Sequence, residues 1–353
     1  MERSNWNHFG LTFSTIRELD VTAIREESER TPQIAVVGPR LLFNRVVELL
    51  RSTGSRRFGP LGPDPLFHQP LPLLELDLLA DDDPLYQADL LLILVDGQQP
   101  LDEETTATLR RMARLALPTV IAICGVAAPG NPGPLRPEFA HARVVILPSL
   151  SEPTSSSVLA EALVERMPEA LRLAAARAVL AMRPAYANEL IASVAFVNAS
   201  YSLASAIPEQ VPLLAVPFAA ADMLVLTKNQ ALMVYRLALA HGAAPDFQSR
   251  MTELVPVIGA GLVWRQLART LVGIIPFWGI LPKVAVAYAG TYTTGMLAWR
   301  WFADGEVVDG ERLKELADES MRLGRERAAA MLEAAQSRSR EKRSWWPWRR
   351  DSG

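Results

Sequence analysis

The residues whose types and spacing come nearest to a chemical motif lie in the segment 38–45, directly after the apolar run 34–37. A glycine that ends such a run and leads into a helix stands where a phosphate-binding loop would begin, and the pattern of that loop is G-x-x-x-x-G-K-[ST]. In that pattern backbone N–H groups surround the phosphates, the lysine neutralises them, and the hydroxyl binds magnesium. Any such chemistry in this chain would begin at Gly38.

Beyond Gly38, the pattern is lost at each position that carries chemistry. Phe43, Asn44 and Arg45 stand at the places of the second glycine, the lysine and the hydroxyl residue. The Phe43 ring would lie where the backbone must approach a phosphate, and Pro39 removes one N–H group. Arg40 and Arg45 could attract an anion, but a guanidinium has no lone pair with which to coordinate magnesium. The alternative interpretation is that both arginines are solvated charges on a helix.

The order of elements over 33–167 resembles the small GTPases of the translation-factor class. That resemblance implies a P-loop GTPase-like α/β domain with a mostly parallel sheet. It also places the D-x-x-G turn at 77–80, where Asp77 is kept and the glycine is missing. The guanine-reading N-K-x-D would stand at 124–127, which has no carboxylate, and the serine-containing loop survives only as Ser149.

Four nucleotide-contacting motifs are therefore degraded together, which favours a scaffold that no longer hydrolyses GTP. What is left of the nucleotide loop consists of Gly38, Arg40, Asn44, Arg45 and Asp77. This interpretation expects no catalytic residue and no cofactor. A divergent hydrolase, which would need GTP and magnesium and use Arg40 and Arg45 in place of the lysine, is the alternative; an unrelated doubly wound domain is another.

The hydrophobic pattern predicts the elements that would carry these residues. Fully apolar strands separated by helices indicate a parallel sheet covered on both faces. The expected strands are 34–37, 73–79, 89–96, 118–124 and 143–148, and the expected helices are 41–50, 102–115 and 155–165. A charged amphipathic stretch at 12–30 predicts a surface helix before them.

The second half of the chain predicts an all-α, apolar C-terminal domain. The blocks 222–242 and 259–305 resemble a domain of unknown function found downstream of GTPase domains in bacterial proteins, for which membrane association is proposed. Gln230, Met233 and Tyr235, with the stretch 291–295, are its most specific residues. Uncharged stretches at 190–208 and 284–299 lie near or below the length that spans a bilayer. A peripheral or hairpin attachment, a buried helical bundle and spanning helices all stay open.

A basic, tryptophan-rich tail closes the chain. Tryptophan rings settle at the lipid headgroup level, and each cation near an anionic surface contributes roughly 1 kcal/mol. The candidate membrane-surface residues are Arg343, Trp345, Trp346, Trp348, Arg349 and Arg350. Stacking on RNA is the alternative for such a tail, and a disordered tail without a partner is the plainest one.

Composition limits the remaining possibilities. The 353 residues carry a net charge of −3, which is no nucleic-acid signature, and the one cysteine excludes an internal disulfide. The four histidines have no metal-ligand spacing. We expect four segments: an N-terminal helix (1–31), the degenerate GTPase-like domain (32–168), the helical domain (169–336) and the tail (337–353). The predicted function is a non-catalytic tether for a partner protein or a second copy, at the cytoplasmic face of a membrane.

Overall fold

The computed structural model describes residues 20–51, 69–76, 85, 87–99, 103–113, 117–126, 142–205, 215–244, 280–305 and 308–344. A five-stranded sheet forms its first half, in the order β2-β1-β3-β4-β5, with every pairing parallel. The strands are β1 (Ile34–Val37), β2 (Leu73–Leu76), β3 (Leu90–Asp96), β4 (Thr119–Cys124) and β5 (Arg143–Leu147). The predicted α/β fold with a parallel sheet is confirmed, and the predicted strand residues 77–79 lie outside the described part.

The sheet is apolar on both faces because its strands alternate between two cores. In β3, Leu90, Leu92 and Leu94 enter one buried cluster, while Leu91, Ile93 and Val95 enter the other. Since both faces are covered, successive residues are all apolar rather than alternately polar. Short continuous apolar runs in the sequence therefore predict the positions of these strands.

Helices cover the two faces and precede the sheet. They are α1 (Thr22–Glu29), α2 (Arg40–Arg51), α3 (Glu103–Ala113) and α4 (Pro153–Arg166). Buried residues of α2 and α4 belong to the first cluster, and those of α3 belong to the second. Of the predicted N-terminal helix, residues 12–19 lie outside the described part, and the helix that is seen begins at Thr22.

The rest of the described chain is helical, as predicted. Its helices are α5 (Glu169–Ala178), α6 (Met182–Ser205), α7 (Ala215–Ala240), α8 (Ile280–Asp304) and α9 (Gly310–Ser344). The apolar α8 packs against α6, α7 and α9. Its composition is therefore accounted for by burial in a bundle. Among the helices in the described part of the chain, none combines the length and the apolar composition needed to cross a membrane.

Two helix boundaries differ from those predicted. The alanine-rich run in the sequence predicts a helix over 171–182. In the structure α5 ends at Ala178, and Val179 adopts an extended backbone before α6 begins. The buried Arg183 donates to the carbonyls of Ala176 (3.3 Å) and Arg177 (3.2 Å), so it caps the end of α5. At the other end α9 continues to Ser344 instead of ending at 336, so the first eight tail residues are helical.

Candidate functional site

The segment 38–45 lies where α/β sheets bind their ligands. Chain connections run outward in opposite directions from β1 and β3, and the crevice at the carboxyl ends of two such strands is the usual ligand position. Gly38 turns the chain there with φ +150°, and a Cβ added to it would lie 2.6 Å from the carbonyl oxygen of Leu94. Close contact between β1 and β3 therefore requires this glycine whether or not a phosphate binds.

The side chains after this turn are exposed or contact different neighbours. Arg40 is 85 % exposed and its Nε lies 3.9 Å from Oε1 of Glu75 on β2, a weak surface pair. Asn44 and Arg45 are exposed on α2. The half-buried Phe43 packs against the first core cluster.

The turns that follow β3 and β4, at the same edge of the sheet, are held by hydrogen bonds within and between them. The carboxylate of Asp96 accepts a hydrogen bond from the backbone N–H of Gln98 at 3.0 Å. Gln98 Nε2 then donates to the carbonyl oxygen of Gly125 at 3.3 Å, and Gly125 N–H donates to Leu147 O at 2.9 Å. Thus Gln98, which no sequence motif marks, joins the turn after β3 to the turn after β4.

Cys124 is a buried thiol beneath this edge. It is 2 % exposed, and its Sγ lies 3.7 Å from the carbonyl oxygen of Ala122. Burial, with a smaller effect of the Asp96 carboxylate, raises the pKa of the thiol to about 11. A neutral, inaccessible thiol is neither a nucleophile nor a metal ligand. In the described part of the chain, no group of three or more His, Cys, Asp or Glu side chains could hold a metal ion.

The remaining predicted site residues lie at or beyond the edge of what is described. Asp77 falls outside the described residues, and so do Trp345, Trp346, Trp348, Arg349 and Arg350. Arg343 is placed on the backbone of α9. Their assignment to a nucleotide-loop remnant and a membrane-binding tail stays a prediction.

A second group of polar residues meets inside the helical half and forms the buried polar cluster: Asn198, Asn229, Gln230 and Thr291. Asn198, with no exposed surface, donates to Thr291 Oγ1 at 2.9 Å and accepts from Asn229 Nδ2 at 2.7 Å. Gln230 Nε2 donates to Thr291 Oγ1 at 3.1 Å. Thr291 in turn donates to Ala287 O at 2.9 Å. Because each group has a partner, this cluster joins α6, α7 and α8 and fits a structural role better than a catalytic one.

Comparison with protein-family models, with curated proteins and with solved structures gave no match to this chain. The fold is therefore described as a five-stranded parallel α/β sheet followed by a helical region. The resemblances to the translation-factor GTPases and to a GTPase-associated domain remain predictions from sequence.

Proposed function

We propose that this chain is a non-catalytic, GTPase-like scaffold that tethers a partner protein, or a second copy of itself, at the inner face of a membrane. The observation that supports the proposal best is the crevice at Gly38. Its backbone turn and the helix that follows it resemble a ligand-binding α/β edge, while residues 38–45 include neither the lysine nor the hydroxyl residue of a phosphate-binding loop.

The chemistry of the crevice supports a binding role over hydrolysis. Phosphoryl transfer needs a cation and a metal held in register with the phosphates, since positioning and electrostatics account for most of its acceleration. Here Arg40 is drawn to Glu75 and Arg45 is exposed at the next turn of α2. Asp96, at the carboxyl end of β3, already caps the turn at Gln98. A surface without a phosphate-binding cation and a metal ligand can still bind a protein partner.

Nucleotide titration tests the non-catalytic part of the proposal. Calorimetry of the full chain with GTP, GDP and ATP in excess magnesium should give no saturable heat up to millimolar nucleotide. Arg45→Ala and Arg51→Ala form a matched pair of exposed arginines on α2, at and away from the loop. Micromolar binding that is weakened by Arg45→Ala and kept by Arg51→Ala would instead establish the divergent hydrolase.

Vesicle binding tests the membrane part. The full chain should sediment with vesicles containing phosphatidylserine and stay in the supernatant with phosphatidylcholine alone, because cations near the surface favour anionic lipid. Removal of residues 345–353, which follow α9, should abolish sedimentation. Replacing Trp345, Trp346 and Trp348 with alanine keeps the charge and should weaken binding at high salt most. Equal supernatant fractions for the native and shortened chains on anionic vesicles would overturn this part.

A further inference from the structure

The second half of α6 has an exposed face without charge. Over 190–205 this helix contains no Asp, Glu, Lys or Arg. Two large apolar side chains on it, Phe196 and Val197, are each 50 % exposed. Residues four positions apart lie on one face of a helix. We call the set with Val197 beside it the α6 face, and its exposed or half-buried members are Ala192, Phe196, Val197, Ser200 and Ala204.

The other side of α6 is fixed in the helical bundle. Asn198 donates to Thr291 Oγ1 of α8 at 2.9 Å. A Cβ added to Gly295 of α8 would lie 2.7 Å from the side chain of Ile191, so the two helices are in close contact there. These contacts hold the α6 face outward. An exposed apolar patch of this kind marks a surface that meets another molecule or a membrane.

The last turns of α9 project beyond the start of α8. The two helices are antiparallel, because Leu297 shares a buried cluster with Leu313 while Ala285 lies against Gly324. From the level of that second contact, α8 extends back only to residue 280, whereas α9 continues to residue 344. At about 1.5 Å per helical residue, the end of α9 therefore reaches roughly 20 Å past the start of α8.

The α6 face borders the side of the bundle that α9 occupies. Lys283 Nζ, near the start of α8, donates to Ser205 Oγ at the end of α6 at 3.3 Å, so α6 ends where α9 projects. Ala195 of α6 shares a buried cluster with Ala328 of α9. Because Phe196 directly follows Ala195, the apolar face and the projecting helix are neighbours.

The charge of the projecting turns selects the partner. Over 311–333 of α9, acidic and basic residues nearly balance, but over 338–344 four cations accompany the single acid Glu341. These cations are Arg338, Arg340, Lys342 and Arg343. An uncharged apolar face beside concentrated cations is complementary to an anionic bilayer, which takes apolar side chains into its headgroup region and attracts cations to its surface. A second copy could cover the α6 face, but it would leave the cations without a partner.

We propose that the α6 face lies on an anionic bilayer, with Phe196 and Val197 entering the headgroup region while the cations at the end of α9 contact lipid phosphates. In this arrangement α6 lies along the bilayer surface and not across it. The inference rests on the proposed membrane attachment, and it adds the part of the folded chain that meets the lipid.

Matched serine variants of the full chain test the inference by binding to phosphatidylserine-containing vesicles. Phe196→Ser/Val197→Ser removes the apolar side chains of the α6 face, and Leu41→Ser/Val158→Ser removes a comparable exposed pair from α2 and α4. The first pair should weaken binding about tenfold, because about half of each side chain is still available for burial. The second pair should bind as the native chain does. Native binding by the first pair, or equal weakening by both pairs, would overturn the inference.

A fluorophore at position 197 gives a second measurement that does not depend on the affinity of a serine variant. In a Cys124→Ala background, an environment-sensitive dye on Val197→Cys should shift its emission to shorter wavelength when anionic vesicles are added. The same dye on Val158→Cys should not shift. The absence of a shift at position 197 on vesicles that bind the protein would contradict the proposal.

The remaining outcomes separate this inference from the proposed function. If the native chain does not sediment with anionic vesicles, the membrane attachment fails and the inference fails with it. If removal of residues 345–353 abolishes sedimentation but Phe196→Ser/Val197→Ser does not weaken it, only the inference is overturned. Sedimentation velocity without lipid covers the other occupant: a native dimer that Phe196→Ser/Val197→Ser converts to a monomer would assign the α6 face to a second copy and overturn the lipid contact.

Discussion

Asn198 shows how one side chain can decide the packing of three helices. It lies in the uncharged stretch 190–208, and it exchanges hydrogen bonds with Asn229 on α7 and Thr291 on α8. Replacing it with alanine leaves buried partners of both helices unsatisfied. We expect Asn198→Ala to lower the free energy of unfolding by about 2–4 kcal/mol, measured by urea denaturation.

Asn188→Ala is the matched control, since Asn188 is exposed on the same helix. The control should change the free energy of unfolding by less than about 0.5 kcal/mol. Equal effects of the two substitutions would mean that the buried polar cluster adds nothing beyond helix propensity.

At the scale of residues, the sequence predicts chemistry that depends on residue type, but it does not predict contacts between residues far apart in the chain. The residue types from Gly38 to Arg45 predict that magnesium ligands are missing, and this stays a prediction. The sequence does not predict the ion pair between Glu27 and Arg236, because these two residues are 209 positions apart. No local pattern marks such a pair, and only the packing of α1 on α7 brings it together.

At the scale of elements, α8 and α9 approach so closely that a glycine is required between them. A Cβ on Gly324 would lie 2.4 Å from the backbone carbonyl oxygen of Ala285, whereas one on Gly310 would meet nothing within 4 Å. Gly324→Ala should therefore lower the free energy of unfolding by about 1–3 kcal/mol through overpacking, although alanine favours helix. Gly310→Ala should leave it unchanged or raise it by up to about 1 kcal/mol.

Thermal or urea denaturation of the two variants shows whether overpacking or the helix propensity of alanine has the larger effect on stability at Gly324. If Gly324→Ala is as stable as Gly310→Ala, the two helices can separate without cost and the close approach is not specific.

Element boundaries were predicted well only where the local pattern and the tertiary environment agree. The strands agree because burial on both faces produces continuous apolar runs, as in β3 and β4. The break after α5 was missed because no glycine or proline occupies 179–181. Val179 has no exposed surface and Arg183 caps the preceding carbonyls, so tertiary contacts end that helix.

Over the whole molecule, one continuous cluster links the sheet to the helical half. Ile34 and Leu92 of the sheet, Leu163 of α4, Tyr186 of α6 and Trp301 of α8 all belong to it. The apolar residues of the helical half therefore pack into the same core as those of the sheet. A chain built in this way should unfold as one unit, even though its two halves have different architecture.

Two independent measurements can follow the unfolding of the sheet and the unfolding of the helices. Cys124 is the chain's one cysteine, so a thiol reagent reports on the sheet alone, while far-ultraviolet circular dichroism is dominated by helices. Because the thiol pKa is about 11 in the folded chain, against 9.0 when unperturbed, its thiolate fraction at pH 8 falls from about 10 % to about 0.1 %. Because the thiol is also buried, it should react at pH 8 far more slowly in the folded chain than in the unfolded one.

We expect the urea midpoint for Cys124 labelling at pH 8 to coincide with the midpoint for loss of the helical signal. Shared burial is the reason: exposing Cys124 requires opening the cluster that also holds Trp301. A Cys124→Ala variant gives the reagent blank. Should labelling be complete at a urea concentration where the helical signal is still native, the two halves would be independent units, and the continuous core would be a contact between them.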